Sequence, residues 1–340
     1  MGSEMCIRDR YKIEDIKAIH LEVTSRCQAK CPMCARRING GPLNPFMGLD
    51  EISIDKFMEW FPIDFIKQLN HLAICGNLGD PIVAKDTLPI YEYLREANPT
   101  MTLQMHTNGS GRTKQWWQKI AKLGVQTVFA IDGLEDTNHL YRRNVKWTKL
   151  IENVEAFINA GGHATWDYLK FKHNQNQIEQ AELLSKKLGF KKFRLKETTR
   201  WDDFDSEGNW VERDHIKLDN YKLEKIERDT EASGHNVTQK TKVKQSFTKA
   251  KINCWSYHKN KSEIYIAANG DVSPCCWLGD LRLHEAKNII TDYNAINLNH
   301  CSLDEILNGH FFTELAKGIR GVENAYRLQT CYHTCGVSNV

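Results

Sequence analysis

Three cysteines, Cys27, Cys31 and Cys34, stand in C-x3-C-x2-C spacing inside one short polar loop, Cys27-Gln28-Ala29-Lys30-Cys31-Pro32-Met33-Cys34. Thiolates are the usual ligands of iron–sulfur clusters, and three of them can hold three irons of a cubane 4Fe–4S cluster. The fourth iron then stays open to a substrate or cofactor, whereas a fourth cysteine would close it. A structural zinc site needs four tetrahedral ligands, usually from C-x2-C pairs. The nearest spare ligands, His20 and His71, have no such spacing. A disulfide framework suits a small secreted chain, and this one has 340 residues and no secretory signal. Buried, inert cysteines are the remaining reading; thiols this dense in a polar loop argue against it.

Such a loop needs a scaffold. It follows the apolar run Ala18-Ile19-His20-Leu21-Glu22-Val23, the first of six predicted strands: Ala18–Val23, His71–Cys75, Thr102–His106, Thr127–Ile131, Thr165–Phe171 and Lys192–Leu195. Amphipathic helices lie between them. Ile54, Phe57, Met58 and Phe61 follow i, i+3, i+4, i+7 spacing. Trp116, Ile120 and Leu123 share a face ahead of Gly124; Ile151, Val154 and Ile158 do so ahead of Gly161, and Ile178, Ala181, Leu184 and Leu188 ahead of Gly189. Glycine just past the last apolar residue tolerates the left-handed backbone that ends a helix. Strand–helix alternation at this period predicts a parallel sheet with right-handed crossovers, wound either as a barrel or as an open doubly wound sheet.

The cysteine loop resembles the hallmark of the radical S-adenosylmethionine (SAM) superfamily, C-x3-C-x2-C just after the first barrel strand. Met33 stands where that family usually has an aromatic residue. The resemblance implies an α/β fold, a partial (β/α)6 TIM-like barrel, with the site on loops after the carboxyl ends of the strands. It implies that SAM chelates the open iron. An electron from the cluster would cleave it to a 5′-deoxyadenosyl radical, which abstracts hydrogen from a substrate. Cofactor contacts are implied too. Gly79 and Asp80, in Cys75-Gly76-Asn77-Leu78-Gly79-Asp80-Pro81, stand where the family meets the SAM amino group, usually with Glu in place of Asp. Thr107 and Asn108, in His106-Thr107-Asn108-Gly109, fall near the ribose and methionine. Asp132, in Ile131-Asp132-Gly133, and Arg143, in Tyr141-Arg142-Arg143-Asn144, match a stretch of the subgroup that modifies peptides. There Arg143 would fork onto the SAM carboxylate.

Without the resemblance these runs are ordinary turns and caps. Cys75 reads as a small buried hydrophobe, and His106 as a lone histidine with no ligand partners. Arg194 and Lys196 alternate onto one face of the sixth strand. Inside a barrel such a pair calls for an anion, either substrate or the SAM carboxylate.

Trp201–Lys251 is polar and charged and reads as a linker with one helix at Tyr221–Ile226. Glu263–Ala267 and the turn Asn269-Gly270-Asp271 predict a β-hairpin. Ser302-Leu303-Asp304-Glu305 predicts a capping box opening a helix that runs to about Gly318. Cys254 precedes the hairpin, Cys275 and Cys276 follow it, and Cys331 and Cys335 lie in C-x3-C spacing near the end. This resembles the twitch module, a shortened SPASM domain that holds one auxiliary 4Fe–4S cluster. The resemblance implies Cys254, Cys275, Cys331 and Cys335 as ligands, with Cys276 as the alternate for Cys275 and Cys301 as a bystander. Structural zinc on the same cysteines is the competing reading. The expected division is a barrel over residues 11–200, a linker over 201–251 and an auxiliary-cluster domain over 252–340. Met1–Arg10 differs in composition from the rest of the chain, reads as a sequence-assembly scar, and is set aside together with Cys6.

Net charge is +3, from Lys+Arg 46 against Asp+Glu 43, which gives no polyanion-binding signal. The Lys-rich stretch Lys240–Lys251 reads as solvated. Mean hydropathy is −0.54 and no apolar run is long enough to span a membrane. Eleven cysteines without a signal peptide point to a reducing cytoplasm. The expectation is a cytoplasmic oxidoreductase with two 4Fe–4S clusters and SAM, a reductant such as flavodoxin or ferredoxin, and a peptide or amino-acid-like substrate. The alternatives are radical modification of a nucleotide-derived small molecule or RNA, and a non-enzymatic metal-binding interaction protein.

Overall fold

The computed structural model describes residues 12–38, 41–45, 47–198, 201–204, 210–212, 215–217, 225–227, 251–257, 262–279, 285–322 and 325–337. Six strands lie parallel, in chain order, across one sheet: β1 (Ile16–Leu21), β2 (His71–Ile74), β3 (Thr102–Thr107), β4 (Gln126–Ala130), β5 (Ala164–Leu169) and β6 (Lys192–Lys196). Each expected strand forms within two residues of its expected bounds. Spatial order equals sequence order, so the sheet is singly wound like a barrel; a doubly wound sheet reverses its order midway.

Two more strands extend the sheet. β7 (Ser262–Ile266) runs parallel to β1, with Ala18 opposite Glu263 and His20 opposite Tyr265, and β8 (Val272–Ser273) pairs antiparallel with β7. The expected hairpin therefore forms, and its first strand is stitched into the barrel sheet. Gly270 supplies the positive φ, +92°, that its turn requires. β6 and β8 are the sheet's outer strands, so the barrel is unclosed.

The crossovers carry α1 (Ile54–Trp60), α2 (Ile63–Lys67), α3 (Thr87–Ala97), α4 (Lys114–Lys122), α5 (Asn138–Tyr141), α6 (Trp147–Asn159) and α7 (Ile178–Leu188). They bury the residues their spacing predicts, among them Phe57, Ile120, Val154 and Ala181. Met58 differs: α1 is short, packs Phe57 and Phe61, and leaves Met58 exposed. Gly124, Gly161 and Gly189, at φ +70°, +88° and +92°, follow α4, α6 and α7 as expected.

Two expectations are corrected. Lys225–Glu227 is a strand paired with His215–Lys217, not the end of a helix. Ile226 is buried with Lys225 exposed beside it, a period of two rather than 3.6. Ser302 does open a helix with both halves of a capping box, but α8 (Leu303–Asn308) stops at Gly309, and α9 (His310–Arg320) starts anew. Gly309 adopts φ −72° and ψ 172°, outside the helical basin. α10 (Gln329–Cys335) follows. Met1–Arg10, Tyr221–Glu224 and Lys240–Ala250 lie outside the described residues. Among the described residues no helix is long and apolar enough to cross a membrane.

Candidate functional site

The cysteine loop leaves the carboxyl end of β1 and is clamped from two sides. Thr24 Oγ1 and Ser25 Oγ donate to the carbonyls of Asp50 and Gly48, each at 2.9 Å. The buried Arg36 guanidinium donates to the carbonyls of Ser25 at 2.7 Å and Cys27 at 3.1 Å. Opposite, the Lys30 amide donates to the Arg143 carbonyl at 2.9 Å, and Asn144 Nδ2 to the Gln28 carbonyl at 2.8 Å. Cys31 is buried; Cys27 and Cys34 are half-buried. Burial pushes the Cys27 thiol far above its ordinary range, with Asp80 and then Cys31 adding to the shift. Burial raises Cys31 to about 11, against the opposing pull of Arg142. Metal ligation requires thiolates, so loading this loop must release protons.

The loop after β2 packs against the cysteine loop without clearance. A Cβ on Gly79 would fall 1.7 Å from the Thr24 carbonyl oxygen, so only glycine fits there. The Asp80 amide donates to the Arg26 carbonyl at 2.9 Å. The Asp80 carboxylate is buried and accepts from Thr107 Oγ1 at 2.8 Å, from the Asn108 amide at 2.8 Å, from Asn108 Nδ2 at 2.6 Å and from the Ile82 amide at 3.2 Å. Asn108 Oδ1 accepts from Gln28 Nε2 at 2.7 Å, and Asn108 Nδ2 also reaches Cys27 Sγ at 3.8 Å. Asp80, Thr107 and Asn108 thus brace the cysteine loop with their side chains. In the Gly76–Gly79 stretch the Leu78 amide donates to Glu22 Oε1 at 2.7 Å.

The loop after β4 contributes a cation. Asp132, fully buried, accepts from Arg142 Nε at 2.5 Å and from the Leu169 amide at 2.7 Å. Arg142 Nη1 stands 3.8 Å from Cys31 Sγ. Burial works against the Arg142 charge, but Asp132 and Cys31 more than offset it, so it stays protonated. Sequence reasoning pointed to Arg143; the structure puts Arg142 at the sulfur and buries Arg143, whose carbonyl holds Lys30. The two arginines are adjacent in sequence, and only the turn after α5 decides which one faces the cysteines. Gln28 and Arg36 were likewise missed, since nothing in their spacing marks them.

The inner face of the barrel is polar. The strand register puts His20, His106, Asp167, Arg194 and Lys196 on one face of the sheet, and His106 feels His71, Asp167, Arg194 and Lys196. Asp167 on β5 binds both Arg194 Nε and Lys196 Nζ, the latter at 2.7 Å. A protein carboxylate, unpredicted from sequence, thus already faces the cationic pair. Burial lowers His20 and His106 to about 4, so both are neutral imidazoles near pH 7. His20 Nε2 lies 2.5 Å from Cys75 Sγ and packs edge-on against Tyr265. Glu263 on β7 joins this wall, and burial raises its carboxyl to about 7.

The second cysteine group is assembled from four segments. The short strand Lys251–Ile252 pairs antiparallel with Gly336–Val337, and the Asn253 amide donates to the Cys335 carbonyl at 2.8 Å, which sets Cys254 beside Cys335. Cys331 and Cys335 share a face of α10, four residues apart. Cys275 follows β8. The Cys254 thiol is hydrogen-bonded to Cys335 and is pushed far up by that contact, by burial, and by Cys275 and Cys331. These are the four cysteines the resemblance named. Cys276 is half-buried; after burial, its strongest perturber is Glu263, and it also feels Glu22. Cys301 is half-buried in the loop before α8. Among the described residues no three His, Cys, Asp or Glu side chains stand close enough to hold a single metal ion. Both groups offer sulfur donors, the chemistry that suits iron–sulfur clusters or zinc and not hard cations.

Residues 254–336 match SPASM, an iron–sulfur cluster-binding domain. Solved structures share the fold. Streptococcus suis SuiB bound to S-adenosylmethionine aligns with a TM-score of 0.55 at 14% identity, covering 93% of this chain and 77% of that one. Polyhistidine-tagged anSMEcpe with bound AdoMet aligns with a TM-score of 0.56 at 12% identity, covering 93% and 90%. Native anSMEcpe with AdoMet and the Cp18Cys peptide aligns with a TM-score of 0.52 at 13% identity, covering 87% and 81%. At these identities the likeness is one of fold.

Proposed function

We propose that this chain, which has the fold of radical SAM enzymes and carries a SPASM iron–sulfur domain, is itself a radical SAM enzyme acting on a peptide or amino-acid-like substrate. The observation that carries this is the convergence on one C-x3-C-x2-C loop of the loops after β2, β3 and β4. Asn108 reaches Cys27 and Arg142 reaches Cys31, each at 3.8 Å. When bound, the cluster and SAM together supply a 5′-deoxyadenosyl radical that takes a hydrogen atom from the substrate.

The protein's part is to bind and orient. Cys27, Cys31 and Cys34 hold three irons. The Gly76–Gly79 backbone meets the SAM amino group, with Asp80 keeping the loop in place from behind. The Arg142 guanidinium, fixed by Asp132, presents its charge to the SAM carboxylate, a role the resemblance gave to Arg143. Thr107 and Asn108, both bound to Asp80, would stand near the ribose and methionine of SAM. Cys254, Cys275, Cys331 and Cys335 hold the auxiliary cluster, and a flavodoxin or ferredoxin supplies the electron. The peptide reading draws on the peptide-bound anSMEcpe. The barrel is one unit and the SPASM segment the other, with β7 as the shared strand.

The test is anaerobic reconstitution with iron and sulfide, then addition of dithionite and SAM. The expected product is 5′-deoxyadenosine. Its absence from protein carrying about eight irons would sink the proposal.

A further inference from the structure

The inner face of the barrel has two electrical poles on opposite sides of the sheet. One is on β6. Arg194 and Lys196 share the single carboxylate of Asp167, so the trio carries one surplus positive charge. Their side chains remain 40% and 46% exposed, whereas Asp167 is 9% exposed, so the cations and not the anion face open space. Arg194 Nη2 is shut from solvent and donates to nothing among the described residues. The exposed parts of this cationic pair, rather than the enclosed Nη2, are what a carboxylate or phosphate can reach.

The other pole is on β7. Glu263 is opposite Ala18 and on the same face as Tyr265, which packs on the lumen residue His20. Its carboxylate has no hydrogen-bond or ion-pair partner among the described residues, although it is half-buried. An acid in that position lacks its cation. Between the poles stand His20 and His106, both neutral. Glu22, buried just after β1, is a further carboxylate on this wall, and it accepts from the Leu78 amide at 2.7 Å.

We propose that the lumen is a charge-segregated chamber for an amphoteric substrate, whose anionic group sits on Arg194 and Lys196 and whose ammonium sits on Glu263. This rests on the functional reading above and narrows it: substrates with only one of the two charges leave one pole bare. SAM is itself amphoteric, but Arg142, at the sulfur of Cys31, is the cation placed for its carboxylate. That leaves the β6 pair for the substrate.

The experiment uses the reconstituted full chain with SAM present and three probes: L-leucine, N-acetyl-leucine (anionic only) and leucine amide (cationic only). Binding is read by saturation-transfer NMR, and SAM affinity is measured in parallel. Leucine should bind about tenfold tighter than either blocked form, the worth of one charge-assisted contact. Glu263→Gln should reduce leucine to the level of N-acetyl-leucine and leave the latter's binding unchanged. Lys196→Gln should reduce leucine to the level of leucine amide. Iron content and circular dichroism of each variant identify any misfolded protein. Equal binding of the three probes, binding of none, or a fall in SAM affinity matching the fall in leucine affinity would overturn the chamber. Wild-type protein that ranks the probes as expected yet forms no 5′-deoxyadenosine would overturn the functional reading instead.

Discussion

The two cysteine groups solve one problem in opposite ways. Cys27, Cys31 and Cys34 lie within eight residues, so their mutual positions are largely local, and the fold's task is to hold the loop from outside. Arg36, Asn108, Lys30 and the Gly79 contact do this. Cys254, Cys275, Cys331 and Cys335 span 82 residues and meet only because one strand pair, one hairpin and one helix bring them together. The surroundings differ too. Arg142 stands at Cys31 and pulls its thiol down, whereas Cys254 is surrounded by other thiols that push it up. On the function proposed above, the compact trio with a cation beside it would leave a corner for an anionic ligand, and the scattered quartet would close its cluster.

The largest test breaks the two groups apart. Cys31→Ala should cut iron from about eight to about four per chain and abolish 5′-deoxyadenosine formation. Cys335→Ala should cut iron by the same amount yet spare the SAM-binding cluster's spectrum. Iron analysis with electron paramagnetic resonance (EPR) checks both. If either variant lost all its iron, the two groups would not be independent.

Next in size is the cation that distinguishes them. Arg142→Gln leaves Asp132 buried without its partner and should cost about 3–5 kcal/mol in urea unfolding. The loss should fall on the first cluster's occupancy and leave the auxiliary cluster loaded.

The wall between the groups gives a pH signature. The Glu263 carboxyl is raised by burial from 4.5 to about 7. Below 4.5 it is protonated whether folded or unfolded and contributes nothing. From 4.5 to 7 the folded state holds the extra proton, so stability falls as pH rises and levels off above 7. The loss is at most roughly 3 kcal/mol. Glu263→Gln should flatten that slope in urea unfolding at pH 5 and pH 8; an unchanged slope would show the group is not desolvated.

The smallest effect separates neighbours. Cys275→Ser should lose the auxiliary cluster, and Cys276→Ser should keep all of its iron: Cys275 acts on the Cys254 thiol, whereas Cys276 is perturbed by Glu263.

These contrasts explain what could be read from the chain alone. The first cysteine group was legible because spacing within one loop is itself geometry. The six parallel strands were legible because their apolar runs alternate regularly with amphipathic helices that end in left-handed glycines. The quartet was legible only through resemblance, and that Cys275 acts on the Cys254 thiol needed the turn after β8. Asp167 gave no signal, since its value lies in its register opposite Arg194. That Arg142 rather than Arg143 stands at Cys31 is a matter of one residue in one turn, which no periodicity encodes. The strand at Lys225–Glu227 was missed because three residues are too few to reveal their period.

The most direct measurement is EPR of the dithionite-reduced Cys335→Ala protein, titrated with SAM. With the auxiliary cluster removed, the remaining signal belongs to the trio at Cys27, Cys31 and Cys34, and it should shift as SAM occupies the open iron. A fully loaded cluster whose spectrum ignores saturating SAM would contradict the vacant corner and everything built on it.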